Sequence, residues 1–144
     1  NHEEALTAAE IVAACLKAGL SHKEIAVVTP FRRQVMHIRN LIASKLDDGQ
    51  ALPIVDTVER VQGMTVEAVV VSLCASEIDY VSAIADFLFS PNRLNVAVSR
   101  ARTKAIVISS PNIFNTLPRS YIGFTSKKMC QSFLQSPDCL NLYA

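Results

Sequence analysis

Two short runs of mostly β-branched residues, Ile25 to Thr29 (IAVVT) and Ala68 to Leu73 (AVVVSL), most restrict what this chain can become. A strand with one face in water alternates apolar and polar side chains, because successive residues point to opposite faces of the sheet. Neither run alternates, so both faces must be covered, as in a parallel sheet flanked by helices. Ala105 to Ser109 (AIVIS) is a third such run, and Ile54 to Val58 is a shorter candidate. The stretches between them carry helical spacing. Ala8, Ile11, Val12 and Cys15 recur within Glu4 to Ala18, and Gly19 follows where a helix end favours a left-handed residue. Phe31, Val35, Ile38, Ile42 and Leu46 mark a second helix that closes at Asp48-Gly49, and Pro91 opens a third with Leu94, Ala97, Val98 and Ala101 as its buried stripe. A polar loop is expected from Ala75 to Asp86, and a last helix from Lys127 to Leu134 with Phe133 and Leu134 turned inward. The alternation predicts an α/β domain, a parallel sheet with helices on both faces.

At 144 residues, half of them hydrophobic, the chain suits one domain, with a core over about residues 4–116 and a tail from 117 to 144. Four glycines and six prolines exclude collagenous and disordered classes. The longest uncharged runs fall well short of the roughly 18 apolar residues of a membrane span, so no membrane partner is expected. Glu3, Glu4, Glu10 and Lys17 break the apolar N-terminal stretch into an amphipathic pattern rather than a signal peptide. A start at Asn1 without Met suggests a piece of a longer protein. Cys15, Cys74, Cys130 and Cys139 show no metal-binding spacing, which predicts reduced thiols, a cytoplasmic setting and no metal ligands. A net charge of +1 argues against nucleic-acid binding through the overall field, although Arg32, Arg33 and Arg39 cluster locally, as do Arg93, Arg100, Arg102 and Lys104.

Chemistry is concentrated in three segments, each expected just past the carboxyl end of a strand, where ligands of open α/β sheets bind. They are TPFRRQ from Thr29, DTVERVQG from Asp56 and NRLNVAVSRAR from Asn92. On a helical wheel Arg93 and Arg100, seven apart, share one edge of the third helix and line a crevice beside the domain. Planar, permanently charged guanidinium groups suit phosphates and phosphoryl-transfer transition states. Thr57 offers a hydroxyl after a strand, and Gln62-Gly63 allows a turn whose exposed N–H groups suit a nucleic-acid backbone. Arg32 and Arg33, near a helix N-terminus, are placed to attract anions. Ser99, His37 and Cys74 read as ordinary helix or strand filling.

Together the three segments resemble motifs IV, V and VI of the C-terminal motor half of superfamily 1 DNA and RNA helicases, in the family's order. The likeness covers Ile25 to Pro111 and is nearest to the branch holding RNA-decay helicases and replication helicase-nucleases. It implies a RecA-like fold, ATP with Mg2+ as cofactor, and a single nucleic-acid strand as partner, DNA favoured over RNA. By this resemblance Arg100 is an arginine finger on the ATP γ-phosphate. Arg93, Gln62, Gly63 and Glu67 complete the nucleotide side. Thr29, Pro30, Arg32, Arg33, Thr57 and Gln62 face the strand, with Gln34 supporting them. The family usually carries an acidic residue two positions after the motif V glycine; here Thr65 stands in that place and Glu67 two further on.

No two glycines fall five apart, as a phosphate-cradling G-x-x-x-x-G-K-[ST] loop requires, and no apolar strand ends in an Asp-Glu pair. The expectation is therefore the second RecA-like domain of a longer motor, unable to hydrolyse ATP alone, with the N-terminal motor domain of the same chain as partner. A non-catalytic nucleic-acid or protein interaction module that kept the fold is the alternative, and an unrelated nucleotide-binding enzyme is a third, disfavoured reading.

Overall fold

The structure, a computed structural model, describes residues 1–74, 78–110, 112–115, 118 and 120–137. Its frame is a four-stranded sheet of β1 (Ile25–Val28), β2 (Ile54–Asp56), β3 (Val66–Ser72) and β4 (Ala101–Ile108), in the order β2-β1-β3-β4 and parallel throughout. Register is carried by the two non-alternating runs, with Ala26, Val27 and Val28 opposite Val69, Val70 and Val71. All of these are buried. Their side chains point alternately to the two faces, so each face demands its own cover.

One face is covered by α1 (His2–Lys17) and α2 (Arg32–Ala43). Ala5, Ala8, Ala9 and Val12 of α1 pack with Val35, Ile38 and Ile42 of α2 over Val27, Val55 and Val70. Gly19 ends α1 at φ +102°, a conformation that favours glycine. A single 3-10 turn, His22–Glu24, leads into β1. There the Ser21 N–H donates to Glu24 Oε2 at 2.7 Å, which holds the Glu24 carboxyl below its usual range.

The opposite face takes Val58, Val61 and Ala97 over Ala26, Val28, Val69 and Val71. Beside it α3 (Ile78–Leu88), α4 (Pro91–Val98), α5 (Asn112–Asn115) and α6 (Tyr121–Leu134) share a smaller cluster of Val81, Ala85, Leu88, Phe89, Ile113 and Cys130. The parallel sheet with helices on both faces matches the expectation. Cys15, Cys74 and Cys130 are free thiols; Cys139 lies outside the described residues.

Several boundaries differ. The expected polar loop is helical from Ile78, because Val81, Ala85 and Leu88 recur at steps of four and three and are buried; residues 75–77 lie outside the described set. The second helix stops at Ala43, short of Asp48-Gly49, and Phe31 precedes it in extended conformation. The third helix stops at Val98, so Ala101 belongs to β4 and not to a helical stripe. Pairing with β3 draws that strand out to Ala101, although Arg102, Thr103 and Lys104 leave it as an exposed, charged sheet edge. In the tail, the helix begins at Tyr121, and Phe133 is exposed rather than turned inward. The reason is Gly123. Ser120 Oγ accepts the Gly123 N–H and donates to Asp86 Oδ1, pressing the glycine onto α3, where a Cβ would meet that same oxygen. This fixes the helix rotation, so Gly123, Lys127, Cys130 and Leu134 face inward and Tyr121, Ile122, Met129 and Phe133 face out.

Gly123→Ala must displace the exposed Asp86 side chain, whose hydrogen bond with Ser120 is worth about 0.5–1.5 kcal/mol, while the better helix propensity of alanine returns up to about 1 kcal/mol, so the unfolding free energy read by urea denaturation should change by less than about 1 kcal/mol. A loss above about 2 kcal/mol would show that Asp86 cannot move aside and that α6 depends on this close approach.

Candidate nucleic-acid and nucleotide interfaces

Since all four strands run the same way, the sheet has one carboxyl edge and one amino edge, and the expected site residues divide between them. At the carboxyl edge, Thr29 and Pro30 follow β1, Thr57 follows β2, and Arg32 and Arg33 open α2. The Thr29 N–H donates to the Asp56 carbonyl at 3.2 Å, and the Thr57 N–H to Asp56 Oδ1 at 2.8 Å. Asp56 also faces Arg39 at 4.0 Å and Arg60 at 3.9 Å, while Arg39 donates to the Val55 carbonyl. Arg32 and Arg33 are exposed and have no ion pair among the described residues. The Thr29 hydroxyl is buried and, among the described residues, without a hydrogen-bond partner, an arrangement that is ordinarily destabilising. Gln34 is buried too, and donates to the Asn1 carbonyl at 2.8 Å, tying the start of α1 to α2.

In the sequence Glu4 reads only as one of the charges that make the N-terminal stretch amphipathic, and its structural role is not visible. Its carboxylate is buried, accepting from the Ser72 hydroxyl at 2.8 Å and the Cys74 N–H at 2.7 Å, and so fastens α1 to the end of β3. The spacing Glu4, Ala8, Val12 places it on the buried stripe of α1 and was the available signal. Cys74 sits there at φ +57°, and burial pushes its thiol up, away from nucleophilic reactivity.

The amino edge holds the other group. Residues 57–65 cross from β2 to β3 with Val58 and Val61 buried, leaving Gln62 and Gly63 exposed at the far end. Gly63 has φ +81°, where any side chain strains the backbone. Arg100 lies next to this turn. Its Nε donates to the Val96 carbonyl at 3.0 Å, Nη1 to the Met64 carbonyl at 3.3 Å and Nη2 to Ser99 Oγ at 3.1 Å, while its own carbonyl receives the Val66 N–H. Neutral oxygens thus orient the guanidinium, and no carboxylate pairs with it among the described residues. Glu67, nearby on β3, accepts from the Thr103 hydroxyl at 2.6 Å and from Arg102 at 3.4 Å.

The pairing of Arg93 with Arg100 on one helix edge does not hold. α4 ends before Arg100, and seven residues of helical rise put the two about 10 Å apart along its course, Arg93 in the first turn at the carboxyl edge and Arg100 past the last at the amino edge. The third segment therefore starts at one edge and finishes at the other. Arg93 Nη1 meets Glu59 Oε1 at 2.5 Å, and its guanidinium lies 3.8 Å from the centre of the Phe87 ring, which in turn stacks on Phe31 with centroids 6.0 Å apart. Among the described residues, no group of three or more His, Cys, Asp and Glu side chains could hold a metal ion, and no helix is long and apolar enough to cross a membrane.

A family model described as an AAA domain matches residues 1–112. The chain is 38% identical over 112 residues to the DNA polymerase alpha-associated DNA helicase A of Schizosaccharomyces pombe, spanning 78% of this chain and 16% of the relative. It is 32% identical over 103 residues to the human DNA replication ATP-dependent helicase/nuclease DNA2, spanning 72% and 9%. With the Arabidopsis thaliana regulator of nonsense transcripts 1 homolog it shares 31% identity over 121 residues, 82% and 9%. The matched part is thus 16% or less of the length of these relatives.

The Glu4 latch yields a stability prediction. Glu4→Ala leaves the Ser72 hydroxyl and Cys74 N–H without their acceptor, and the loss should be about 2–4 kcal/mol. In a double-mutant cycle with Ser72→Ala, the two losses should add to more than the double variant shows. Strict additivity would mean that the two side chains do not interact.

Proposed function

Because this chain belongs to the AAA domain family of superfamily 1 helicase motor domains, we propose that it is the C-terminal half of an ATP-driven motor that moves along single-stranded nucleic acid. In this reading it is the second RecA-like domain of a longer protein, and its two edges have separate duties. The amino edge, with Arg100, Gln62, Gly63 and Glu67, faces a nucleotide held mainly by the N-terminal motor domain. The carboxyl edge, with Thr29, Pro30, Thr57, Arg32 and Arg33, carries the strand by its phosphates. Single-stranded DNA is the first substrate to test and RNA the second, since the relatives' names include both DNA replication helicases and a regulator of nonsense transcripts.

One observation carries the reading: Arg100 is positively charged, partly exposed, held in place by two carbonyls and a hydroxyl, and unopposed by any carboxylate among the described residues. Such a group is preorganised for charge that develops on phosphate oxygens. ATP with Mg2+, when bound between the two domains, would supply the γ-phosphoryl group whose hydrolysis drives the cycle. Arg100 would donate to its oxygens, and the Gln62-Gly63 turn would flank them. Closing and reopening of the cleft would shift this domain along the strand relative to its neighbour. On the strand side, Arg32 and Arg33, exposed and without an ion pair among the described residues, supply charge for phosphate contacts that carry no sequence information, while the buried Thr29 shapes the turn that carries them.

A non-catalytic interaction module is the second reading, favoured by Thr65 in the usual acidic position and by Glu67 already engaged by Thr103 and Arg102. ATP turnover of the full-length protein with and without single-stranded DNA or RNA separates the two. The motor reading expects strand-stimulated turnover that falls by a factor on the order of 10³ in Arg100→Ala, with the fold retained. Absence of turnover with and without a strand would favour the module, and near-normal rates in the variant would remove the catalytic assignment of Arg100.

A further inference from the structure

Arg93 differs from Arg100 in a way that points to a different ligand group. Its charge is already matched by Glu59 at 2.5 Å, so it is poorly suited to grip a phosphate, and the same contact together with the Phe87 ring holds the guanidinium plane still. A flat, immobilised, charge-compensated guanidinium keeps one property of use to a ligand, its π-type face, on which nucleobases stack. The Arg93 side chain is 33% exposed, Phe87 is partly exposed, and Phe31 backs the stack from the turn that carries Thr29 and Pro30. That turn belongs to the strand-facing edge of the proposed function. A cleft lined by Pro30, Phe87, Arg93, Leu94 and Phe114, with Val71 and Ala97 among its buried lining, opens beside the stack. It has room for little more than a water molecule, so a ring lies across it rather than entering.

We propose that Arg93, held by Glu59 and stacked on Phe87, which Phe31 backs in turn, is a stacking surface for one nucleobase of the bound strand. This assignment rests on the strand-binding reading above and moves Arg93 from the nucleotide side to the strand side. It supplies base contact without base selection, because every base has a π-face, while the exposed Arg32 and Arg33 attract the phosphates.

The test uses the full-length protein, an oligothymidylate, and an abasic strand of the same length. The wild type should bind the oligothymidylate more tightly, and Arg93→Lys, which keeps the charge and loses the plane, should narrow that preference by about fivefold or more. Its affinity for the abasic strand should stay within about twofold of the wild type. A preference that survives in Arg93→Lys would overturn the stacking assignment, and so would an equal loss on both strands, which marks a phosphate contact. Failure of the wild type to bind either strand would overturn the strand-binding reading itself and the stacking surface with it. A readout on unaltered protein covers a variant that does not fold: photocrosslinking of a 5-iododeoxyuridine strand should map to the Phe31 or Phe87 peptide, and adducts confined to other segments would refute the assignment.

Discussion

Burial of the two central strands on both faces is the constraint from which the remaining arrangement follows. Val27, Val28, Val69, Val70 and Val71 have essentially no exposed surface, and burying each such side chain stabilises by roughly 1.5–3 kcal/mol relative to leaving it in water. Both sheet faces must then be roofed, by α1 and α2 on one side and by the 57–65 crossover with α4 on the other. Once the faces are closed, the ends of the strands are the places left for polar side chains. Function is pushed to the edges by packing alone, and the parallel direction makes those edges chemically distinct.

The two arginines of the third motif show how this works. α4 and the turn that follows it run from the carboxyl edge to the amino edge, so Arg93 at the start of the helix and Arg100 just past its end reach opposite ends of the domain. Arg93 emerges among Glu59, Phe87 and Phe31, neutralised and flat. Arg100 emerges beside the Met64 carbonyl, oriented by neutral oxygens and left with its charge. The same side chain in two surroundings suits different ligand chemistry, a ring in one case and a phosphate in the other. In the proposed reading the strand and the nucleotide meet the two ends of one sheet, which would then act as a lever between them.

Sheet, helices and motif order were legible in the sequence because each depends on local patterning. Non-alternating valines mark doubly buried strands, and the three motif segments carry enough specificity to name the family that residues 1–112 match. What the sequence reading lost depends on contacts between distant residues. Arg100 was placed on a helix because Ala97, Val98 and Ala101 continue the apolar period, yet pairing with β3 claims Ala101 for the sheet. Phe133 was turned inward because it is apolar, whereas the close packing of Gly123 on Asp86 and Ser120 sets the rotation of α6. Glu4 reads in the sequence only as part of an amphipathic pattern, because its partners Ser72 and Cys74 lie about seventy residues away.

The central proposal is that the Arg100 guanidinium, held by the Val96 and Met64 carbonyls, presents its remaining N–H groups to the terminal phosphate of a nucleotide held across the cleft. A crystal structure of the full-length protein with ADP, Mg2+ and aluminium fluoride addresses it most directly. The account predicts the Arg100 side chain within hydrogen-bond distance, about 3 Å, of the fluoride group that stands for the γ-phosphate. A nucleotide-bound structure in which the fluoride group is held by other residues alone, with Arg100 out of reach, would contradict it.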